Sequence, residues 1–283
     1  MTHYLLKRTT ALFVLLTCFG NLSGQIAGFN RIQWRSEKIA PGLIWKTSHT
    51  FLKDTIPQNI NILFVNLHKR KISLAYNPKE NSTVSRQAAA KLALAAVNAG
   101  FFNIRDGGSV TYIKTGGLVI DADTAKKWKV NPNLDGALLI GKNGHLKVEY
   151  AKSNGYYNRH TEFSDVLVTG PLLIGRKKKV TLATSSLAGN IHPRTSLGKL
   201  SNHKLVLVTV DGRTNEARGM TLAELADLMA SLRCKEAINL DGGGSTTMWI
   251  GNKPFNGVVN MPCDNKKFDH EGDRKVSDIL IVK

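Results

Sequence analysis

Residues 204–213 read KLVLVTVDGR, and residues 221–247 read TLAELADLMASLRCKEAINLDGGGSTT. The first segment opens with a continuous apolar, β-branched run, which is typical of a strand buried on both faces. Thr221 and Glu224 form the sequence pattern of a capping box, so a helix is expected to begin there. A second apolar run follows and ends in an aspartate. This order of strand, helix and strand over residues 204–243 predicts a βαβ unit with a right-handed crossover.

The predicted unit has a chemical consequence. If its two strands are parallel neighbours, Asp211 and Asp241 follow their carboxyl ends and face one crevice, where open α/β sheets bind ligands. Other segments, such as residues 60–67 and 165–174, are short and strand-like. We therefore predict a mixed α/β (α+β) fold: a mixed β-sheet with the βαβ unit of residues 204–243 at the active-site edge.

The glycines after Asp241 predict a binding turn. Three consecutive glycines let a ligand oxygen approach main-chain N–H groups without a Cβ in the way. The turn lacks the Gly-Lys-Ser/Thr ending of a P-loop and does not match the dinucleotide fingerprint. A mobile turn between strands is the other interpretation of this pattern.

Further candidate residues come from two other segments. Residues 98–103 read NAGFFN, in which amides suit sugar hydroxyls or phosphate oxygens and an aromatic ring suits the face of a sugar. Arg194 follows a proline, and arginine binds phosphate in bidentate fashion. Arg213 could do the same, or pair with the neighbouring Asp211. Glu224 already has a structural explanation in the capping box.

The amino-terminal residues indicate export. Lys7 and Arg8 precede an apolar run over residues 11–19, followed by small and polar residues. This pattern predicts a signal peptide over residues 1–24 and a periplasmic or extracellular protein, with lipidation at Cys18 as an alternative. No other segment is long and apolar enough to span a membrane.

The charge favours anionic partners. The chain has 39 Lys+Arg against 21 Asp+Glu, a formal net charge of +18. Nucleic acid, acidic lipid and phosphorylated glycans all fit this charge. Since an exported protein rarely meets nucleic acid as a substrate, we predict no nucleic-acid partner. The basic runs at residues 126–129 and 176–179 could also be solvated turns.

Two cysteines remain after the predicted cleavage, Cys234 and Cys263. They could form a disulfide in an oxidising compartment or stay buried and reduced. Their surroundings in the sequence contain no spacing typical of a metal site, and we predict no cofactor.

Two parts of the mature chain are distinguished. We predict that residues 25–85 form a β-rich amino-terminal segment and residues 86–283 the catalytic domain, and we expect the two to form one compact unit. An alanine-rich stretch over residues 85–95 predicts a helix capped by Ser85.

Six motifs in order resemble the phosphodiester glycosidase family and cover roughly residues 90 to 282. They are Asn98-Ala-Gly-Phe-Phe-Asn103, Thr169-Gly-Pro-Leu-Leu173, Pro193-Arg-Thr195, Val210-Asp-Gly-Arg213, Thr221-Leu-Ala-Glu-Leu225 and Asn239-Leu-Asp-Gly-Gly-Gly-Ser-Thr246. The resemblance implies a hydrolase that cuts an N-acetylglucosamine-like sugar from a sugar-1-phosphodiester. Within this pattern the catalytic candidates are Asp241, Asp211 and Arg194. The substrate-binding candidates are Asn98, Gly100, Phe102, Asn103, Thr169, Gly170, Arg213, Glu224, Asn239, Gly242, Gly243, Gly244, Ser245 and Thr246.

The chemistry follows from the leaving group. A phosphate monoester leaves as a weaker base than an alcohol, so the reaction needs little acid assistance. It needs a carboxylate near the anomeric carbon and cations or N–H donors around the phosphate. We therefore assign Asp241 as nucleophile or base and Asp211 as the residue that orients the sugar or assists. Arg194, Arg213 and the N–H groups of the glycine turn are expected to hold the phosphate. Two alternatives stay open: a phosphodiesterase with a divalent cation between these aspartates, and a non-catalytic phosphoglycan-binding envelope protein.

Overall fold

The computed structural model describes residues 28–77, 80–121 and 133–283, and these form a mostly β fold with few helices. The predicted signal peptide, Cys18 and the basic run at residues 126–129 lie outside the described residues. In chain order the strands are β1 (Arg35–Ala40), β2 (Leu43–Leu52), β3 (Ile56–Asn66), β4 (Ile72–Tyr76), β5 (Ser82–Thr83), β6 (Ala95–Asn98), β7 (Ile113–Thr115), β8 (Leu118–Asp121), β9 (Gly136–Gly141), β10 (Leu146–Tyr150), β11 (Phe163–Thr169), β12 (Leu172–Gly175), β13 (Lys178–Lys179), β14 (Arg194–Ser201), β15 (Lys204–Val210), β16 (Glu236–Asn239), β17 (Met248–Ile250), β18 (Lys275–Val276) and β19 (Asp278–Val282). The α-helices are α1 (Val84–Ala90), α2 (Asn154–Arg159), α3 (Ser186–Gly189) and α4 (Leu222–Ser231). Short 3-10 turns lie at Phe29–Arg31, Gly243–Ser245 and Phe255–Gly257.

The strands form three sheets and a small two-stranded ladder of β18 with β5. The largest sheet has the order β1-β2-β3-β15-β14-β16-β12-β13. A five-stranded sheet has the order β10-β9-β11-β7-β8, and a four-stranded sheet has the order β17-β6-β19-β4. Since β3 pairs with β15, the amino-terminal strands extend the same sheet that carries the candidate site.

The strand β15 lies at the centre of the fold and is buried on both faces, as its apolar run predicts. Leu205 and Leu207 belong to the core cluster shared with the smaller sheets. Val206 and Val208 belong to a second cluster, which α4 covers with Leu225. Alternate residues of a strand point to opposite faces, so one apolar run serves two cores.

The predicted βαβ unit needs correction. Strand β15, helix α4 and strand β16 are all present, but β14 lies between the two strands and is antiparallel to both. The strands are therefore parallel but not neighbours. Strand β14 is hard to recognise in the sequence because it carries Arg194, Ser196, Gly198 and Lys199, although the structure buries all four.

The helix predictions were right in one place and displaced in another. Helix α4 has the predicted capping box: Thr221 accepts from the Glu224 N–H, and the Glu224 side chain accepts from the Thr221 N–H. Helix α1 is capped by Thr83 and not by Ser85, and it ends at Ala90, before the predicted end at residue 95. No helix within the described residues is long and apolar enough to cross a membrane.

Candidate active site at the glycine turn

The site lies at the sheet edge where β15 and β16 end and β14 begins. The glycine turn after β16 is compact and internally hydrogen-bonded. Gly242 N–H donates to the Asp241 carboxylate at 2.8 Å. The N–H groups of Gly243, Ser245 and Thr246 donate to main-chain carbonyls at 2.9 to 3.2 Å. These four N–H groups are therefore engaged within the protein, and the prediction that the turn offers main-chain donors to a phosphate is narrowed to the remaining N–H of Gly244.

The glycines serve a different purpose, because two arginines lie against them. A Cβ added at Gly243, whose φ is +62°, would lie 3.0 Å from an Arg213 guanidinium nitrogen. A Cβ at Gly244 would overlap the guanidinium of Arg274 and the carboxylate of Asp264. Bare backbone here lets both guanidinium groups approach the turn.

Asp241 is half-buried at the start of this turn. Its N–H donates to the Ala99 carbonyl at 2.8 Å, and its own carbonyl accepts from Asn98 Nδ2 at 2.6 Å. Burial raises the pKa of Asp241 to about 6, and the charge of Asp278 adds to this rise. The Ser245 hydroxyl, the Gly242 N–H and Arg274 act in the opposite direction.

The carboxylate that raises the pKa of Asp241 is that of Asp278, a residue absent from the sequence-based candidates. Asp278 is fully buried and accepts from Gly100 N–H at 2.5 Å and from Ser277 Oγ at 2.5 Å. Burial raises its pKa to about 6 against these two hydrogen bonds. A Cβ added at Gly100 would lie 2.8 Å from Leu167 Cδ1 and 2.9 Å from Asp278 Oδ1, so a larger residue would displace these side chains. In the sequence, Asp278 could have been identified as an acidic residue at the start of an otherwise apolar strand, β19.

Asp211 has a different environment from the one predicted. It is buried, and its carboxylate accepts three hydrogen bonds: from Asn59 Nδ2 at 2.7 Å, Asn260 Nδ2 at 2.6 Å and Met261 N–H at 2.9 Å. Burial raises its pKa to about 7, and these bonds oppose the rise. Both oxygens are occupied, so the carboxylate joins β3 and the 260–261 segment to the end of β15. These bonds give Asp211 a structural role, and its part in orienting the sugar or assisting the reaction stays a prediction.

Arg194 also needs correction. Its side chain is 1% exposed, its Nε donates to the Met220 carbonyl at 2.8 Å, and one Nη donates to the carbonyls of Leu187 and Asn190 at 2.8 and 2.7 Å. Burial lowers its pKa to about 10. The guanidinium therefore ties α3 to the segment before α4 and is not placed to hold a phosphate.

Arg213 occupies the position from which phosphate could be held. It is exposed, and its Nη2 lies 3.2 Å from His192 Nδ1. Burial, followed by the charges of Arg194 and Arg213, lowers the pKa of His192. Arg274, which was not among the sequence-based candidates, lies against the same turn and is ion-paired with Asp264, so the turn has two guanidinium groups near Asp241, one exposed and one paired.

The two buried amide candidates, Asn98 and Asn239, form hydrogen bonds with the segments around the glycine turn. Asn98 is buried, and its Oδ1 accepts from Thr195 Oγ1 at 2.7 Å and Thr247 N–H at 3.1 Å. Asn239 is buried and donates to the Gly170 carbonyl at 2.8 Å.

Two further hydroxyl candidates are equally inaccessible. Thr169 is buried and donates to the Asn239 carbonyl at 3.4 Å. Ser245 and Thr246 are buried as well. Thr169 therefore positions backbone, whereas the Ser245 hydroxyl acts on the Asp241 carboxyl and the Thr246 hydroxyl is buried without a hydrogen-bond partner among the described residues.

Three candidates lie away from the carboxylate. Phe102 packs against an apolar cluster. Asn103 closes its own loop, accepting from the N–H groups of Arg105 and Asp106 at 3.0 and 3.2 Å. Glu224 completes its capping box and pairs with Arg218 at 2.5 Å, so it belongs to helix α4.

A cavity of about 540 Å³ opens beside Arg274. It is lined on one side by Asp264, Arg274 and Lys275, and on the other by Asn81 and the loop at residues 104–107. Because Arg274 and Asp264 lie against Gly244, the cavity is next to the glycine turn.

The two cysteines are free and buried, so they do not form the disulfide that was one of the two predictions. Burial raises the pKa of both thiols, that of Cys234 to about 12. Within the described residues no three His, Cys, Asp or Glu side chains are grouped so that they could hold a metal ion.

Comparison with known proteins places these features in a family. The family model described as phosphodiester glycosidase matches residues 91–283. A prophage-derived uncharacterized protein of Bacillus subtilis is 30% identical over 196 residues, 65% of this chain and 28% of that protein. The N-acetylglucosamine-1-phosphodiester alpha-N-acetylglucosaminidase of Bos taurus is 28% identical over 218 residues, 72% of this chain and 39% of that enzyme. The chain thus spans well under half the length of these two relatives.

A solved structure has the same fold. The catalytic domain of zebrafish N-acetylglucosamine-1-phosphodiester alpha-N-acetylglucosaminidase, auto-inhibited by its pro-peptide, has a TM-score of 0.69. The two chains are 20% identical, and the match covers 88% of this chain and 87% of the zebrafish chain. At this identity the likeness concerns the fold.

Proposed function

Since this chain belongs to the phosphodiester glycosidase family, we propose that it is an exported hydrolase that removes an N-acetylglucosamine-like sugar from a sugar-1-phosphodiester in a glycan or envelope polymer. The sugar is chosen because relatives at 26 to 31% identity are named for N-acetylglucosamine-1-phosphodiesters. Export rests on the basic, apolar and small-residue pattern of residues 1–24.

One observation carries the proposal: a half-buried carboxylate, that of Asp241, lies beside two arginines on a turn that only glycine permits. A sugar-1-phosphodiester has an electrophilic anomeric carbon next to an anionic phosphate. The carboxylate suits the first, and the guanidinium groups of Arg213 and Arg274 suit the second.

The reaction balances with few protein groups. As a base, Asp241 takes a proton from a water molecule that attacks the anomeric carbon. As a nucleophile, its carboxylate forms an ester with that carbon, and water then hydrolyses the ester. In both cases the bond from the anomeric carbon to the phosphate oxygen breaks. The electron pair leaves with the phosphate monoester, whose charge Arg213 and Arg274 stabilise. Water supplies the hydroxyl of the released sugar and, to the base, one proton. The cavity at residues 104–107 would receive the part of the substrate that lies beyond the phosphate.

The test is a product analysis with purified protein. We would incubate it with an N-acetylglucosamine-1-phosphate methyl diester, with and without chelator, in isotope-labelled water. The proposal predicts free N-acetylglucosamine carrying the label, with no effect of the chelator. Sugar 1-phosphate as the product would instead indicate a phosphodiesterase, and loss of activity in chelator would indicate a required cation. Tight binding without product would favour a phosphoglycan-binding protein.

A further inference from the structure

A second charged cleft lies away from the candidate active site, between the edges of two sheets. One wall comes from β10, the edge strand of the five-stranded sheet. The other comes from β12 and β13, which end the eight-stranded sheet. The cavity between them has a volume of about 940 Å³. We call it the edge groove, and its charged and aromatic lining includes Lys147, Glu149, Tyr150, Lys152, Arg176 and Lys178.

The edge groove has a surplus of positive charge. Five of its lining residues are cationic and two are acidic. Glu149 is already held between Lys147 at 2.7 Å and Lys152 at 3.2 Å. By contrast, Arg176 and Lys178 are exposed and form no ion pair within the part of the chain that the structure describes. They are therefore the two cations of the groove whose charge is open to a ligand.

An aromatic ring accompanies these cations. Tyr150, at the end of β10, is 54% exposed and lines the same groove. An exposed ring offers an apolar face on which a sugar can pack, while the arginine and lysine suit phosphate oxygens. This combination fits a ligand with alternating sugar and phosphate groups better than one that is only anionic.

The groove is too far from Asp241 to share a small ligand with it. Glu236, which lines the groove, opens β16 and precedes Asp241 by five residues. At about 3.3 Å per strand residue this separates them by roughly 16 Å along the strand. A polymer of several units could occupy both places.

We propose that the edge groove binds an anionic glycan polymer, with phosphate groups at Arg176 and Lys178 and a sugar ring on Tyr150. The glycan nature of the ligand rests on the proposed function, whereas the groove and its charge do not. The groove would then retain the polymer while its scissile bond is held near Asp241.

The test compares two matched pairs of charge reversals in the full chain. Arg176→Glu with Lys178→Glu removes the exposed cations of the groove. Arg35→Glu with Lys38→Glu makes the same charge change on β1, an exposed strand at the opposite edge of the same sheet. The probes are a fluorescent poly(glycerol phosphate) bearing N-acetylglucosamine, inorganic polyphosphate of equal charge, and single-stranded DNA of equal charge.

The groove pair is expected to weaken binding of the glycosylated polymer roughly tenfold or more, because each lost cation–phosphate contact also loses its counterion release. The control pair should change it less than about twofold, since exposed charges beyond a Debye length are screened. Tyr150→Ala should weaken binding of the glycosylated polymer but not of polyphosphate, and Tyr150→Phe should retain it. Equal losses from both pairs, or DNA binding as tight as that of the glycan polymer, would overturn the proposal.

Turnover of the methyl diester separates this inference from the proposed function. The groove pair should leave that turnover unchanged, because a small diester does not reach the groove. If the native protein hydrolyses no diester, the proposed function fails, and the binding data still decide the groove.

Discussion

Asp211 and Asp241 follow the carboxyl ends of β15 and β16, two parallel strands that end at the same edge of one sheet. The surroundings of the two carboxylates nevertheless differ. Asp211 is buried, and three N–H donors occupy its carboxylate. Asp241 is half-buried, interacts only with the Gly242 N–H and the Ser245 hydroxyl of its own turn among the hydrogen-bond donors described, and has arginines beside it. Burial raises the pKa of both. A shifted pKa alone therefore does not identify the reactive group; an open approach to the carboxylate does.

The strongest way to test this contrast is Asp241→Asn. The amide keeps the shape but cannot act as nucleophile or base, so kcat should fall roughly a thousandfold or more. The unfolding free energy should change by about 1 kcal/mol or less, because the side chain is not fully buried and the amide keeps its shape. Steady-state kinetics and urea unfolding would measure the two effects. Retention of full activity would remove Asp241 from the mechanism.

Asp211→Asn should give the opposite pattern. An amide must turn its NH2 group towards at least one of the three donors, which leaves a buried donor unpaired and should cost about 2 to 4 kcal/mol of stability. The folded fraction should keep kcat within a few-fold of the native value. Activity corrected for the folded fraction, measured below the unfolding transition, checks this. A large loss of kcat in fully folded protein would return Asp211 to the catalytic group.

A second contrast is between the two arginines. Arg213→Met should raise KM and lower kcat/KM roughly 10- to 100-fold with little change in stability, because it removes a cation from the phosphate. Arg194→Met should chiefly destabilise, since three main-chain carbonyls lose their donor. Kinetics and thermal unfolding of both variants, with Arg213→Lys as the conservative control, would separate the roles. Identical behaviour of the two methionine variants would contradict the assignment.

The smallest expected effect concerns Asp278. Activity that needs ionised Asp241 should fall as the pH drops through about 6, the raised pKa of that carboxyl. In Asp278→Asn a neutral amide replaces a negative neighbour, so the acid limb should move to lower pH by a fraction of a unit. The amide can still accept from Gly100 and donate to Ser277, so the fold should be retained. The pH profile of kcat/KM measures the shift, and an unmoved profile would show that the two carboxylates are uncoupled.

The free energy of unfolding should also depend on pH, and the raised pKa values of three carboxyl groups set the sign of that dependence. The folded pKa values of Asp211, Asp241 and Asp278 all lie above the ordinary value of 3.8. Between about pH 4 and 7 the folded state therefore binds more protons at these groups than the unfolded state does. Their contribution makes the protein less stable as the pH rises through this window. Asp278→Asn should flatten the dependence measured by urea unfolding at several pH values.

The strand and the helix beside the site could be predicted from the sequence, whereas the order of the strands in the sheet could not. The continuous apolar run of β15 and the capping box of α4 are local patterns, and both are confirmed. The position of β14 between β15 and β16 was not predicted, because the polar residues of this strand do not show the apolar pattern expected of a buried strand. Family membership was also predicted correctly, since six short motifs in order carry it.

For the site, the sequence by itself determined which residues lie at the sheet edge: Asp241 and its glycines follow directly from the end of β16. That these glycines admit two arginine side chains became clear only from the structure. Long-range packing decides which charged groups remain available to a ligand. Arg194 and Asp211 are occupied by partners far away in the chain, and Arg274 and Asp278 reach the site from its carboxyl-terminal part. Residue type and local pattern define what a side chain can do, whereas its hydrogen-bond partners, set by long-range packing, define whether it remains available.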